Sequence, residues 1–298
     1  MSTATISSSS TDASSTLAIH VHDLRSRDRA RRSYPASIGS FSSHAGFHSR
    51  PWLDRLNRAL RDDLFVLHYQ PIVCLHRGGV SHHEALIRLA DDPSGRLVAP
   101  AGFLPPAERY GLIREIDRMV VGKVLALMGD ECAGAGDERV AVNLSALSIT
   151  DRGMLTHIER ELARHRVDPA RLIVEVTETA AIGDMERAIA FCEGVHALGS
   201  SVALDDFGAG FGSFQYLKYL PFHYLKIDGE FIRDLPSSRK DQLVVQALVG
   251  VAHGMGKQTI AEYVGDEPTM SLLREYGVDY AQGFQLGRPR AQLEAFAA

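Results

Sequence analysis

From about residue 51 the chain alternates between short apolar runs and longer stretches in which apolar residues recur every three or four positions. The short runs are LFVLHYQPIV (64–73), GVSHHEALIR (79–88), RVAVNLS (139–145), RLIVEVTE (171–178), SVALDDF (201–207), HYLKID (223–228), QTIAEYV (258–264) and YAQGFQLG (280–287). Rich in Val, Ile and Leu, these eight read as strands. The segments between them read as helices. In DMERAIAFCEGVHALG, Met185, Ala188, Ile189, Cys192 and Val195 share one face; Asp184 is placed to cap the start and Gly199 to end the helix. DRGMLTHIERELARHR and RKDQLVVQALVGVAHGMG follow the same period. Strands that alternate with helices pair in parallel, and eight of them predict an α/β fold, a closed (β/α)8 barrel.

The first 50 residues break this pattern. MSTATISSSSTDASST is rich in Ser and Thr, and RSRDRARRSY is strongly basic. Such a segment buries too little apolar surface to offset the entropy of ordering it, so residues 1–50 are expected to be a disordered tail ahead of a barrel domain over 51–298. His20, His22, His44 and His48 match no metal-ligand spacing and are read as part of that tail. Deleting residues 1–50 is expected to leave the barrel active.

Composition narrows the function. A net charge of −5 over 298 residues argues against binding of nucleic-acid polymers, while leaving room for a small phosphate ligand held by local cations. Cys74, Cys132 and Cys192 form neither a zinc pattern nor a disulfide framework, which suits a reducing cytoplasm. No apolar run approaches the roughly 18 residues of a membrane helix, and no secretory signal is evident.

The polar residues carry the chemistry. Gln70, Glu84, Asn143, Glu175, Glu178, Asp205, Asp206, Lys226, Asp228, Glu262 and Gln282 lie toward the C-terminal halves of the strand runs. In a barrel those ends converge on the rim where catalytic groups gather. The adjacent pair Asp205–Asp206 is costly unless solvent, donors or a cation relieves its repulsion; a solvated turn and a metal site both answer. Oxygen donors without thiolates or paired imidazoles select hard cations, Mg2+ or Mn2+. At least five carboxylates suit two ions, an arrangement that serves in-line displacement at phosphorus. Lys226 then orients or deprotonates the attacking water, or is a structural lysine paired with Asp228. On barrel logic alone, Lys226 also suits a carbon-acid base in a metal-dependent lyase or isomerase.

In their order and spacing, YQPIV, EALIR, VNLSA, EVTE, DDFGAGFGSF, YLKID, AEYV and AQGFQLGRP resemble the EAL-domain family of cyclic di-GMP phosphodiesterases, from about Leu53 to the C-terminus. The family takes its name from the tripeptide that stands here as Glu84-Ala85-Leu86. The resemblance implies a modified barrel whose first strand runs antiparallel, hydrolysis of cyclic di-GMP to linear pGpG, two Mg2+ or Mn2+ ions and a homodimer. It also implies site roles. Glu84, Asn143, Glu175 and Asp205 hold the first ion. Asp205 and Asp206 hold the second, with Glu262 in or just outside its shell. Lys226 orients or activates the water, and Glu178 braces the loop after the fifth strand. Gln70 and Arg88 contact the substrate, Gln282 lies beside the water or substrate, and Asp228 lies near a guanine or the neighbouring loop.

The chain departs from the family pattern in places. AEYVG stands where AEGVE is frequent, so Gly265 replaces a common glutamate; Phe211 and Gly212 replace Tyr and Ser; Cys74 replaces Asp. The alternative to an enzyme is a catalytically silent module that acts as a cyclic di-GMP receptor. Receptor versions commonly lose the EAL glutamate, the metal-binding aspartates or the lysine, and this chain keeps all of them.

Overall fold

The computed structural model describes residues 50–92, 94–130, 138–208 and 216–293. The expected tail over 1–50, Cys132 and the Phe211–Gly212 positions lie outside them, save for Arg50 at the start of the first helix. Eight strands close into a barrel in chain order: β1 (Phe65–Cys74), β2 (Val80–Leu89), β3 (Val140–Leu144), β4 (Leu172–Thr177), β5 (Ser201–Phe207), β6 (Tyr224–Ile227), β7 (Gln258–Ala261) and β8 (Tyr280–Gln282). β1 pairs antiparallel with both β2 and β8, and every other pairing is parallel. The modified barrel with a reversed first strand is therefore the observed fold.

Nine helices among the described residues surround the strands: α1 (Arg50–Arg61), α2 (Pro100–Arg109), α3 (Ile113–Gly129), α4 (Ala146–Ile149), α5 (Arg152–His165), α6 (Glu178–Gly183), α7 (Met185–Ala197), α8 (Arg239–Gly254) and α9 (Glu267–Glu275). The capping signals act as their chemistry dictates. Asp184 Oδ1 accepts from Arg187 N at 3.2 Å to start α7, and Gly199 takes a left-handed φ of 93° just past its end. On α7 the residues Ala188, Cys192 and Val195 are buried against the barrel, as the helical period predicts. Among the described residues no helix is long and apolar enough to cross a membrane.

Side chains along a strand point alternately to opposite faces, so each strand feeds two cores. Outward-facing residues such as Val142, Val174, Leu204 and Leu225 pack against the helices in one large cluster. Inward-facing residues fill the barrel: Ile72, Ala141, Ile173, Ala203, Tyr224, Ile260 and Tyr280 form a separate buried cluster. His82 supplies the β2 position of that layer, its ring 5.7 Å from Tyr224 and 5.8 Å from Tyr280. This layer plugs the barrel and serves as the floor of the rim above it.

Candidate active site

Two residues beyond each floor residue, on the same strand or just past its end, stands one of the predicted site residues. Asn143 follows Ala141, Glu175 follows Ile173, Asp205 follows Ala203, Lys226 follows Tyr224, Glu262 follows Ile260, Gln282 follows Tyr280 and Glu84 follows His82. On β1 the order is reversed, because that strand runs the other way: Gln70 precedes Ile72 by two and pairs with Glu84. The period of two therefore turns a dispersed set of polar residues into one ring.

Lys226 is the hub of that ring. It is 1% exposed, and its Nζ lies 2.8 Å from Glu175 Oε2, 2.9 Å from Asp205 Oδ1, 2.9 Å from Glu262 Oε1 and 3.7 Å from Glu84 Oε2. These carboxylates come from four different strands or strand ends. Asp228 is not the partner of Lys226: β6 stops at Ile227, and Asp228 Oδ1 instead accepts from Glu230 N at 2.6 Å in the following turn. The reading of Lys226 as a lysine held by Asp228 is thereby corrected.

In a regular strand Asp205 and Asp206 would face opposite ways. The β5–β6 register shifts between Leu204 and Phe207, and Asp206 adopts a left-handed φ of 54°. This bulge turns the second aspartate toward the rim, a common device for re-aiming a side chain next to an active site. As a result Asp205, Asp206 and Glu262 each offer a ligand atom within 4.8 Å of the others.

Amide side chains fix the opposite wall. Asn143 Nδ2 donates to Glu84 Oε1 at 2.6 Å and Gln282 Nε2 donates to Glu84 Oε2 at 2.6 Å. Gln282 Nε2 also reaches Gln70 Oε1 at 3.3 Å, and Gln70 Nε2 donates to Gly287 O at 3.1 Å. Glu178, buried at the start of α6, accepts from Gly208 N at 3.0 Å and so grips the first residue past β5. Arg88 lines the cleft above the ring with Gln70, Glu84, Asp206, Glu262 and Gln282, around a cavity of about 390 Å³. Asp228 stands outside that lining. Sequence reasoning missed the aromatic and backbone walls of the cleft, Tyr263, Val264 and Phe284 among them; the left-handed backbone at Tyr263 is not written in hydrophobic period.

The ring is overloaded with negative charge. Burial lifts Glu175 well above the usual carboxylate range; Lys226 opposes the shift, while Glu84 and Asp205 add to it. Burial raises Glu262 to about 8, against the pull of Lys226, and raises Asp206 to about 6 with repulsion from Asp205 behind it. For Lys226, burial works to lower the pKa, and the surrounding carboxylates, Asp205 and Glu175 foremost, more than reverse it and hold the ammonium well above its ordinary value. Three buried oxygens, Glu175 Oε1, Asp205 Oδ1 and Gln282 Oε1, accept no hydrogen bond; the Asp205 atom meets Lys226 only as an ion pair. Unsatisfied buried oxygens beside surplus carboxylates fit hard divalent cations.

A pH dependence follows. A carboxyl raised from its ordinary value of about 4 supports the fold below that pH, and its support is lost as pH rises through the shifted value. For Asp206 and Glu262 the loss runs from about pH 4 through about 6 and about 8 respectively. The melting temperature in EDTA is expected to fall between pH 6 and pH 8.5, and the gain from added Mg2+ to widen over the same interval, because a cation favours the ionised groups. Thermal scans at several pH values check this; a gain that does not change with pH would contradict it.

Comparison with known proteins places this architecture. The model of the EAL domain matches residues 53–289. The cyclic di-GMP phosphodiesterase PdeB of Shewanella oneidensis is 34% identical over 239 residues, covering 80% of this chain and 28% of that protein. Among solved structures, the PaMucR phosphodiesterase in its c-di-GMP complex is 37% identical with a TM-score of 0.76, covering 80% of this chain and 97% of that one. The FimX EAL domain from Pseudomonas aeruginosa, bound to c-di-GMP, is 29% identical with a TM-score of 0.75, covering 82% and 98%. The chain spans about a third of the length of the curated relatives it matches.

Proposed function

This chain belongs to the EAL domain family, and from that premise we propose that it hydrolyses one phosphodiester of cyclic di-GMP to give linear pGpG. The observation that carries the proposal is the complete acidic ring around Lys226, with Glu175, Asp205 and Glu262 each within 2.9 Å of its Nζ. A pocket that only held a nucleotide dianion would gain nothing from five carboxylates facing it, since like charges repel.

Glu84, Asn143, Glu175 and Asp205 would hold one Mg2+ or Mn2+, and Asp205, Asp206 and Glu262 a second. Bound there, the pair supplies electrostatic stabilisation to the attacking and leaving oxygens at phosphorus. The protein's own groups do the rest. Lys226, an ammonium among carboxylates, is a hydrogen-bond donor, so of the roles open to it we assign orientation of the attacking water. Arg88 reaches a phosphate oxygen by a charge-assisted bond. Gln70 and Gln282, bonded to each other, with Gln282 also bonded to Glu84 and Gln70 to Gly287 O, present fixed amides to the ligand. Glu178 holds the start of the loop after β5. Asp228 we place beside the ligand's base or the adjoining turn, and two barrels are proposed to pair as a homodimer.

The test is direct. Cyclic di-GMP incubated with purified protein is separated by nucleotide chromatography, with Mg2+ or with EDTA. Linear pGpG formed with Mg2+ alone is the expected result. Tight binding without product would make the chain a receptor, and no binding would overturn the reading.

A further inference from the structure

We propose that Tyr263 is a stacking platform for a purine base at the mouth of the cleft. The inference rests on the cyclic di-GMP reading and adds to it a residue that the acidic ring does not require. Tyr263 follows Glu262 directly and lines the cavity above the ring. It is 60% exposed, so burial does not explain a large aromatic at this position. Its φ is 54°, a left-handed conformation that glycine adopts freely and bulky residues rarely do. Strain of this kind persists where the surroundings enforce it, and it clusters at ligand clamps.

The surroundings do enforce it. The ring lies over the backbone of Gly229, where an added Cβ would come within 2.1 Å of Tyr263 Cδ2. The guanidinium of Arg233 sits 4.3 Å from the ring centroid. Even with the Gly229 backbone and Arg233 against the ring, Tyr263 keeps 60% of its surface exposed. The segment is also tied down: Val264 N donates to Gln282 O at 2.9 Å and Gln285 N donates to Val264 O at 3.3 Å. These bonds join the Tyr263 loop to the loop bearing Phe284, a second cleft-lining aromatic that is 61% exposed and has Arg288 at 4.3 Å. A held, largely exposed ring on the wall of the cleft above the acidic ring offers a surface on which a flat nucleobase can stack. Stacking needs no hydrogen-bond code, only a fixed π-face.

The experiment compares wild type with Tyr263→Phe, Tyr263→Leu and Tyr263→Gly, measuring KM and kcat for cyclic di-GMP, Kd by calorimetry, and melting temperature. Tyr263→Phe keeps the wild-type KM. Tyr263→Leu and Tyr263→Gly raise KM and Kd roughly tenfold, within the range of base–aromatic stacking, and the loss appears in KM rather than in kcat. Tyr263→Gly melts no lower than wild type, because glycine relieves the left-handed strain. A Tyr263→Leu protein with wild-type KM and Kd overturns the platform while leaving the phosphodiesterase reading intact. A wild-type protein that neither binds nor cleaves cyclic di-GMP overturns both.

Discussion

Lys226→Met is expected to melt about 10 °C below wild type in EDTA, to regain most of that loss in Mg2+, and still to turn over at least about 100-fold more slowly. Removing one partner of a buried ion pair costs about 3–5 kcal/mol, because the charges left behind are unpaired. Here the buried groups left without their partner are Glu175, Asp205 and Glu262, all within 2.9 Å of the lost ammonium. For a domain of this size, that cost corresponds to roughly 6–20 °C. Divalent cations at the proposed sites would bind the same oxygens and restore the charge balance, so stability is expected to return. Catalysis is not expected to return, because in the proposed role Lys226 is the donor that fixes the attacking water, an interaction realised chiefly in the transition state. Calorimetry of cyclic di-GMP binding in Mg2+ should show an affinity close to wild type. A parallel fall in affinity and turnover would make Lys226 a ground-state anchor instead.

Glu84→Gln is expected to lower turnover by at least about 1,000-fold, on the scale of losing preorganised electrostatic stabilisation, with a melting temperature within a few degrees of wild type. Glu84 accepts at both oxygens, from Asn143 and from Gln282, at 2.6 Å each. Glutamine keeps the volume and one acceptor, so the packing survives. It removes the charge that a cation requires and sets its own NH2 against one of the two amide donors. Glu84→Ala should be equally inactive and less stable, since it leaves both amides without their carboxylate. Turnover near wild type in the glutamine variant, measured by release of pGpG, would remove Glu84 from the metal site.

Much of this architecture is written in period. The runs at 140–144 and 172–177 announce strands by their short, nearly continuous apolar and β-branched content, and the helices between announce themselves by spacing and caps. The rim residues were legible for the same reason, since on each parallel strand they follow an inward-facing core position by two. What escaped the local pattern is whatever depends on strand direction, bulges or distant partners. Gln70 sits in the sixth of ten positions of β1, and it reaches the rim only because that strand is reversed, which periodicity does not encode. Asp205 and Asp206 alternate on paper and converge through a left-handed bulge. Lys226 and Asp228 stand two apart as strand neighbours would, yet the strand ends between them, and the partners of the lysine arrive from β4, β5 and the end of β7. Such contacts come from closure of the barrel and leave no trace in neighbouring letters.

Two hard cations shared through Asp205 are proposed to balance the acidic ring. Equilibrium dialysis against Mn2+ with cyclic di-GMP present, followed by elemental analysis, measures this without reference to rate. Two Mn2+ per wild-type chain and at most one in Asp205→Asn are expected, because Asp205 is the carboxylate assigned to both proposed sites. One ion or none in the wild type, or two retained in the variant, would contradict the proposal.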